Sequence, residues 1–233
     1  MHIDDTIAAI STPPGVGGIG IVRVSGKDSI TIVDKIFKSP KNKKLNHVKT
    51  HTIHYGHIYD PDTGQIIDEV LVSVMKEPYT FTRENVVEIN CHGGIVSTRN
   101  VLEQVLKAGA RIADPGEFTK RAFLNGRIDL VQAEAVIDII HSKTTVGLMS
   151  AVDQLEGNLS AKIYDIRKEL LGIAAHLQAA VDFPEEDIEE LADEALLDSL
   201  TGIKEKIEYL ISTADMGKII REGLNTVIIG KPN

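Results

Sequence analysis

Tryptophan is absent from this chain of 233 residues, and aromatic side chains make up only 4% of it. Too few flat rings are present for the stacking platform on which single-stranded nucleic acid is held. Cysteine is nearly absent as well. Cys91 stands alone, so no intrachain disulfide can form, and a reducing cytoplasmic setting is expected. No apolar run approaches the roughly 20 residues that cross a bilayer. The stretch "MHIDDTIAAI" lacks the basic-then-apolar pattern of a secretory signal. An excess of positive charge is also missing. The formal net charge is −9, and nine carboxylates fall between Asp182 and Asp198 with no basic residue among them. Outside that run, 25 acidic residues face 25 basic ones, a balance without the footprint of a protein that holds a polynucleotide unaided. The acidic run reads as a solvated face or as a docking surface for a basic partner.

Two textures are present. Residues 1–118 read as an α+β domain of short strands and two helices. "TIAAIS" and "IGIVRVSG" are strands on either side of "TPPGVGG", and "SITIVDKIF" places Ile30, Val33, Ile36 and Phe37 at helical spacing. "HTIHYGHIYD" and "IIDEVLVSVMK" flank "PDTG", which predicts a hairpin because Asp and Gly tolerate the turn dihedrals. "VVEINC" is a further strand, and "VSTRNVLEQVLKAGA" a helix closed by Gly109. Residues 119–222 read as an all-α helical-bundle domain. There the stripe from Leu148 to Val181 predicts one helix of about 34 residues, roughly 50 Å long. A second stripe, Leu196 to Leu210, packs antiparallel to it after a break at Pro184. Residues 223–233, ending "NTVIIGKPN", read as the first strand and opening glycine of a new α/β domain.

Four stretches carry candidate chemistry. Gly15, Gly17 and Gly20 spell G-x-G-x-x-G, but a dinucleotide site needs a helix straight after the glycines, and "IVRVS" reads as strand. A turn, or a loop that lets backbone approach a ligand or another subunit, fits better. Arg23 lies within a strand. Glu88 shares one strand face with Val86 and Asn90, and that face is either solvated or lines a cleft. A carboxylate there suits a ligand edge with two adjacent N–H donors. "CHGG", Cys91 to Gly94, is a tight strand-to-helix turn or an anion site at a helix N-terminus. Cys91 is a weak candidate nucleophile, since its neighbour His92 is badly placed to serve as its base. Arg111, Lys120, Arg121 and Arg127, mixed with Glu117, read mainly as surface charge on a helix.

Five blocks in order, "DTIAAISTPPGVGGIGIVRVSG", "VVEINCHGG", "PGEFTKRAFLNGRIDLVQAEAVIDII", "AAVDFPEEDIEE" and "REGLNTVIIGKPN", closely resemble the MnmE (TrmE) family of tRNA-modification GTPases. The resemblance implies an N-terminal domain that binds 5-formyl-tetrahydrofolate and forms a homodimer. Its fold would be similar to the tetrahydrofolate-binding domain of the glycine-cleavage aminomethyltransferase. By residue matching, the folate contacts fall on Arg23, Glu88 and Arg127. The resemblance further implies a GTPase domain inserted into the helical one, with GTP, Mg²⁺ and K⁺, and with Asn233 in the phosphate-binding loop contacting nucleotide and K⁺. The flavoprotein MnmG would be the partner, and the wobble uridine of tRNA the substrate. Three positions depart from the family pattern. Val16 stands in place of the usual Arg, while Arg83 and Asn85 in "FTREN" replace Gly and Asp. Arg127 is often Lys. A self-contained folate-dependent aminomethyltransferase and a dimerising scaffold that binds nothing small are the rival readings.

Overall fold

The computed structural model describes residues 5–183, 193–222, 226–227 and 229–231. Two compact units divide the chain, Met1–Ile128 and Asp129–Asn233.

The first unit is built on a seven-stranded sheet. Its strands are β1 Ile7–Ile10, β2 Ile19–Ser25, β3 Phe37–Lys38, β4 Thr52–Tyr59, β5 Ile66–Met75, β6 Val86–His92 and β7 Arg111–Ile112. Their order is β3-β4-β5-β6-β2-β1-β7, antiparallel throughout except for β1 beside β7. The expected "PDTG" hairpin joins β4 to β5, with the Asp60 carboxylate accepting from the Asp62 N–H at 2.8 Å. Period-two alternation decides which face is buried. Val22 and Val24, Val70, Val72 and Val74, and Val87 and Ile89 all turn to one face, where they are essentially inaccessible. Two helices cover that face, α1 Ser29–Ile36 through Ile30, Val33 and Ile36, and α2 Ile95–Lys107 through Val101 and Val105, with Leu45 and Val48 buried in the same core. Phe37 leaves the expected helix and is the first residue of β3, where it pairs with Ile58 while staying buried. Pairing with the sheet edge there prevails over one more helical residue.

A third helix, α3 Glu117–Leu124, belongs to this unit, so the compact fold runs past the change of texture near residue 118. Ion pairing is what draws it in. Arg121 is not surface charge: its side chain is 5% exposed and meets Asp5, Glu84 (3.1 Å) and Glu117 (3.1 Å). Arg111 meets Asp5 and Glu117, each at 2.7 Å. The Ser25 hydroxyl donates to Glu84 Oε2 at 2.7 Å, tying the group to the end of β2. Hydrogen bonds from Arg111 hold the buried Glu117 carboxyl down to about 2 against the opposing effect of burial, helped by the Asp114 N–H and Arg121. Arg111 and Arg121 likewise lower Asp5. A carboxyl lowered by folding contributes stability above its unfolded value of 4.5 and loses it as pH falls towards 2. The unfolding midpoint in urea is therefore expected to drop across that window. Glu117→Gln should flatten the drop, and an unchanged profile in that variant would remove Glu117 as its cause.

The second unit is helical, with α4 Leu130–His141, α5 Thr145–Leu155, α6 Asn158–Asp182 and α7 Asp193–Glu222. Asp129 and Gln132 close a capping box at the start of α4, and the Thr144 hydroxyl caps α5. The single long helix expected over Leu148–Val181 is instead two. Gly157 takes φ +93° and starts a new helix, a left-handed backbone that the apolar stripe running through it does not register. The α6 and α7 helices lie side by side, and Lys206 reaches both carboxylate oxygens of Glu169 at 2.7 Å. In the C-terminal segment Thr226, Val227, Ile229 and Gly230 are described and form no strand, since none pairs with a described strand. Asn233 and the centre of the acidic run, residues 184–192, lie outside the described residues. Among the described residues, no helix is long and apolar enough to cross a membrane.

Candidate functional site

The sheet face opposite α1 and α2 is the one that matters chemically. On β6 the alternation that buries Val87, Ile89 and Cys91 sends Glu88, Asn90 and His92 the other way. On the neighbouring β2 the same alternation exposes Arg23 on that face, and the antiparallel register sets Arg23 directly opposite Glu88. The guanidinium closes on the carboxylate with Nε at 2.8 Å and a terminal nitrogen at 2.7 Å, both to Glu88 Oε1. Their side chains are 30% and 22% exposed, so the pair is half-buried. Beside it, the Asn90 amide donates to the Leu71 carbonyl at 3.0 Å. Two aromatic rings flank the pair: the Arg23 guanidinium lies 5.8 Å from the centre of Phe81 and 5.7 Å from that of Phe118.

Arg127 arrives from the turn after α3. Its N–H donates to the Ala122 carbonyl at 2.9 Å, and its guanidinium stacks 5.0 Å from the centre of Phe81. Arg23 and Arg127, separated widely in sequence, therefore meet at one ring, and Glu88 joins them through its pair with Arg23. The open side of Phe81 is a cleft of about 500 Å³ whose lining includes His51, Tyr79, Arg83 and Arg127. The Arg83 backbone has φ +58°, the left-handed region that favours glycine. Its side chain is put to use all the same, donating to the Asn125 carbonyl at 3.0 Å, two residues before Arg127. Asn85 braces the same loop, its amide oxygen accepting from the Glu77 N–H at 3.1 Å, a role a carboxylate would fill equally.

The other sequence candidates settle differently. Gly15 and Gly17 lead into strand β2 and not into a helix, and Gly20 already lies within that strand. Their loop packs backbone to backbone on the "CHGG" turn, with the Gly17 N–H donating to the Gly93 carbonyl at 3.1 Å. A Cβ on Gly93 would sit 2.5 Å from the Gly17 carbonyl oxygen, so only glycine permits that approach. Val16, at the tip, is 98% exposed. Cys91 turns into the core, its thiol 3.3 Å from the Gly20 carbonyl, and burial pushes it up to about 11, which removes it as a nucleophile. His92 points to the opposite face and pairs with Asp68, Nδ1 to Oδ1 2.6 Å, so no Cys–His dyad forms. Asp68 also accepts from the Ser97 hydroxyl at 2.6 Å, and its hydrogen bond raises the His92 imidazole above its ordinary value. No local sequence signal marks this Asp68–His92–Ser97 cluster, because its members come from β5, β6 and α2. Among the described residues, no group of three or more His, Cys, Asp or Glu is placed to hold a metal ion.

Comparison with known proteins matches two family models, "GTP-binding protein TrmE N-terminus" over residues 6–127 and "MnmE helical domain" over residues 130–227. The relatives that the chain matches include several described as tRNA modification GTPase MnmE. That of Alkaliphilus oremlandii is 58% identical over 233 residues, covering 100% of this chain and 50% of the relative. Those of Thermoanaerobacter pseudethanolicus and Bacillus subtilis are 60% and 56% identical, each over 98% of this chain and 50% of the relative. The chain thus spans about half the length of the curated relatives it matches.

Proposed function

The chain belongs to the MnmE family of tRNA modification GTPases, and from that premise we propose that its first unit binds a reduced folate for such an enzyme. The observation that carries this reading is the Arg23–Glu88 pair, held half-buried on the open sheet face beside Phe81 and Arg127. Both contacts from Arg23 fall on Glu88 Oε1, and a carboxylate has about four lone-pair sites, so Oε2 is left for ligand donors. The donor edge of a pterin, with adjacent ring and amino N–H groups, suits the two lone-pair sites of that open oxygen. The guanidiniums of Arg23 and Arg127 supply donors for ligand carbonyl or carboxylate groups, and Phe81 a face for a flat ring. Glu88, Arg23 and Arg127 would hold 5-formyl-tetrahydrofolate or a related species. The folate would carry the one-carbon unit, and the protein's part is binding and orienting it. On this reading the unit is similar in fold to the tetrahydrofolate-binding domain of the glycine-cleavage aminomethyltransferase.

In the longer family protein, GTP hydrolysis with Mg²⁺ and K⁺ would accompany modification of the wobble uridine of tRNA, with an aminomethyl-type group added at C5. Asn233 would contact nucleotide and K⁺, and the flavoprotein MnmG would be the partner, in the cytoplasm. A homodimer through the first unit is supported by apolar side chains left open on it, including Ile53, Tyr55 and Leu71, which are 66%, 48% and 47% exposed. Calorimetric titration of the chain with 5-formyl-tetrahydrofolate tests the site. Saturable binding is expected, and its absence in the folded protein would overturn the assignment. Sedimentation as a monomer would count against the dimer.

A further inference from the structure

We propose that the cleft beside Arg83 and Arg127 binds a run of carboxylates, and that its natural occupant is a poly-γ-glutamyl tail on the folate. This rests on the folate reading above and extends it to the part of the ligand beyond the ring. The cleft, of about 500 Å³, is lined by two guanidiniums and His51, and no carboxylate lines it. That composition stands out in a chain of 34 acidic and 25 basic residues. Arg23, Arg111 and Arg121 are each neutralised by an acidic partner, whereas Arg83 and Arg127 have no ion pair among the described residues.

Arg83 sits where the backbone, at φ +58°, favours glycine, yet its long side chain is anchored by one bond to the Asn125 carbonyl. That bond uses a single N–H of its fork, and the remaining donors are available to an anion. The same bond ties Arg83 to the turn that carries Arg127, so the two cations are presented together. Phe81 joins this cleft to the ring site, since Arg23 and Arg127 lie 5.8 and 5.0 Å from its centre. One ligand with a flat head and an extended anionic tail spans both. Guanidiniums take carboxylates through paired N–H bonds, so two of them in one cleft respond to the number of carboxylates in the tail.

The test compares 5-formyl-tetrahydrofolate bearing one glutamate with the same folate bearing three, by calorimetry on the chain and on Arg83→Gly. Glycine adopts φ +58° without strain, so this variant keeps the loop. The triglutamate is expected to bind the parent chain about fivefold tighter, the scale of one added exposed ion pair. In Arg83→Gly the advantage should fall below about twofold. Equal affinity of the two folates for the parent chain, or an advantage that survives in Arg83→Gly, would overturn the tail site and leave the ring site standing. Failure of both folates to bind would overturn the folate reading itself, and the tail proposal with it.

Discussion

Glu88→Ala is expected to weaken 5-formyl-tetrahydrofolate binding by about 2–5 kcal/mol, roughly 30-fold to several-thousand-fold in the dissociation constant. The loss has two parts. The ligand's donor edge loses its acceptor, and the Arg23 guanidinium loses the carboxylate that neutralises it at 2.7 Å. With Glu88 22% exposed before any ligand arrives, the lower half of that range is favoured over the upper. Fold stability should respond far less, because a pair this accessible contributes about 1 kcal/mol or less. Affinity and stability are thus expected to separate, and a parallel loss of both would make Glu88 a structural residue. Glu88→Gln preserves size and one acceptor while removing charge, and should fall between parent and alanine variant. A change in affinity below about half a kcal/mol in Glu88→Ala would leave the carboxylate merely offsetting Arg23 in solvent.

Arg121→Ala should be the most damaging single change to the first unit, costing about 3–5 kcal/mol of stability. Arg121 is 5% exposed and sits between Asp5, Glu84 and Glu117, and Glu117 is itself only 4% exposed. Removing the guanidinium leaves like charges facing one another with Arg111 alone to balance them. Truncating one partner of a buried pair strands the others, which costs far more than the intact pair contributes. Arg121→Lys should recover part of the loss only, since an ammonium cannot reach three carboxylates and the Asp5 carbonyl from one planar fork. Urea unfolding followed by far-UV circular dichroism measures this, and hydrogen exchange in β1 locates it. A loss below about 1 kcal/mol would mean that water takes over the guanidinium's bonds.

The positions where sequence reasoning and structure part company have distinct physical causes. Arg121 reads as surface charge because four basic residues close together on and around a helix usually are, and nothing local reveals that Asp5, more than a hundred residues earlier, returns to meet it. The break at Gly157 hides in an unbroken apolar stripe, since periodicity records which residues are apolar and not the sign of a backbone dihedral. Cys91 and His92 are adjacent in sequence yet face opposite sides of β6, which is a consequence of strand geometry and follows once the strand is granted. The role of Arg83 needed both its dihedral and its partner, and neither is written in "FTREN".

By itself the sequence determined not the short strands β3 and β7 or the place of α3 but the five longer strands, the first two helices and the hairpin of the first unit, the helical texture of the second and the family. These rest on local rules: alternation, spacing, turn residues and ordered motif blocks. It also singled out Arg23, Glu88 and Arg127 through the resemblance, without saying whether they touch. Only the tertiary structure decided that Arg23 and Glu88 are register partners on neighbouring strands and that Arg127 shares Phe81 with Arg23. Strand order placed β2 next to β6 across the intervening residues 26–85. Register and strand order come from burying one apolar face against α1 and α2, a property of the assembled sheet that no single segment carries.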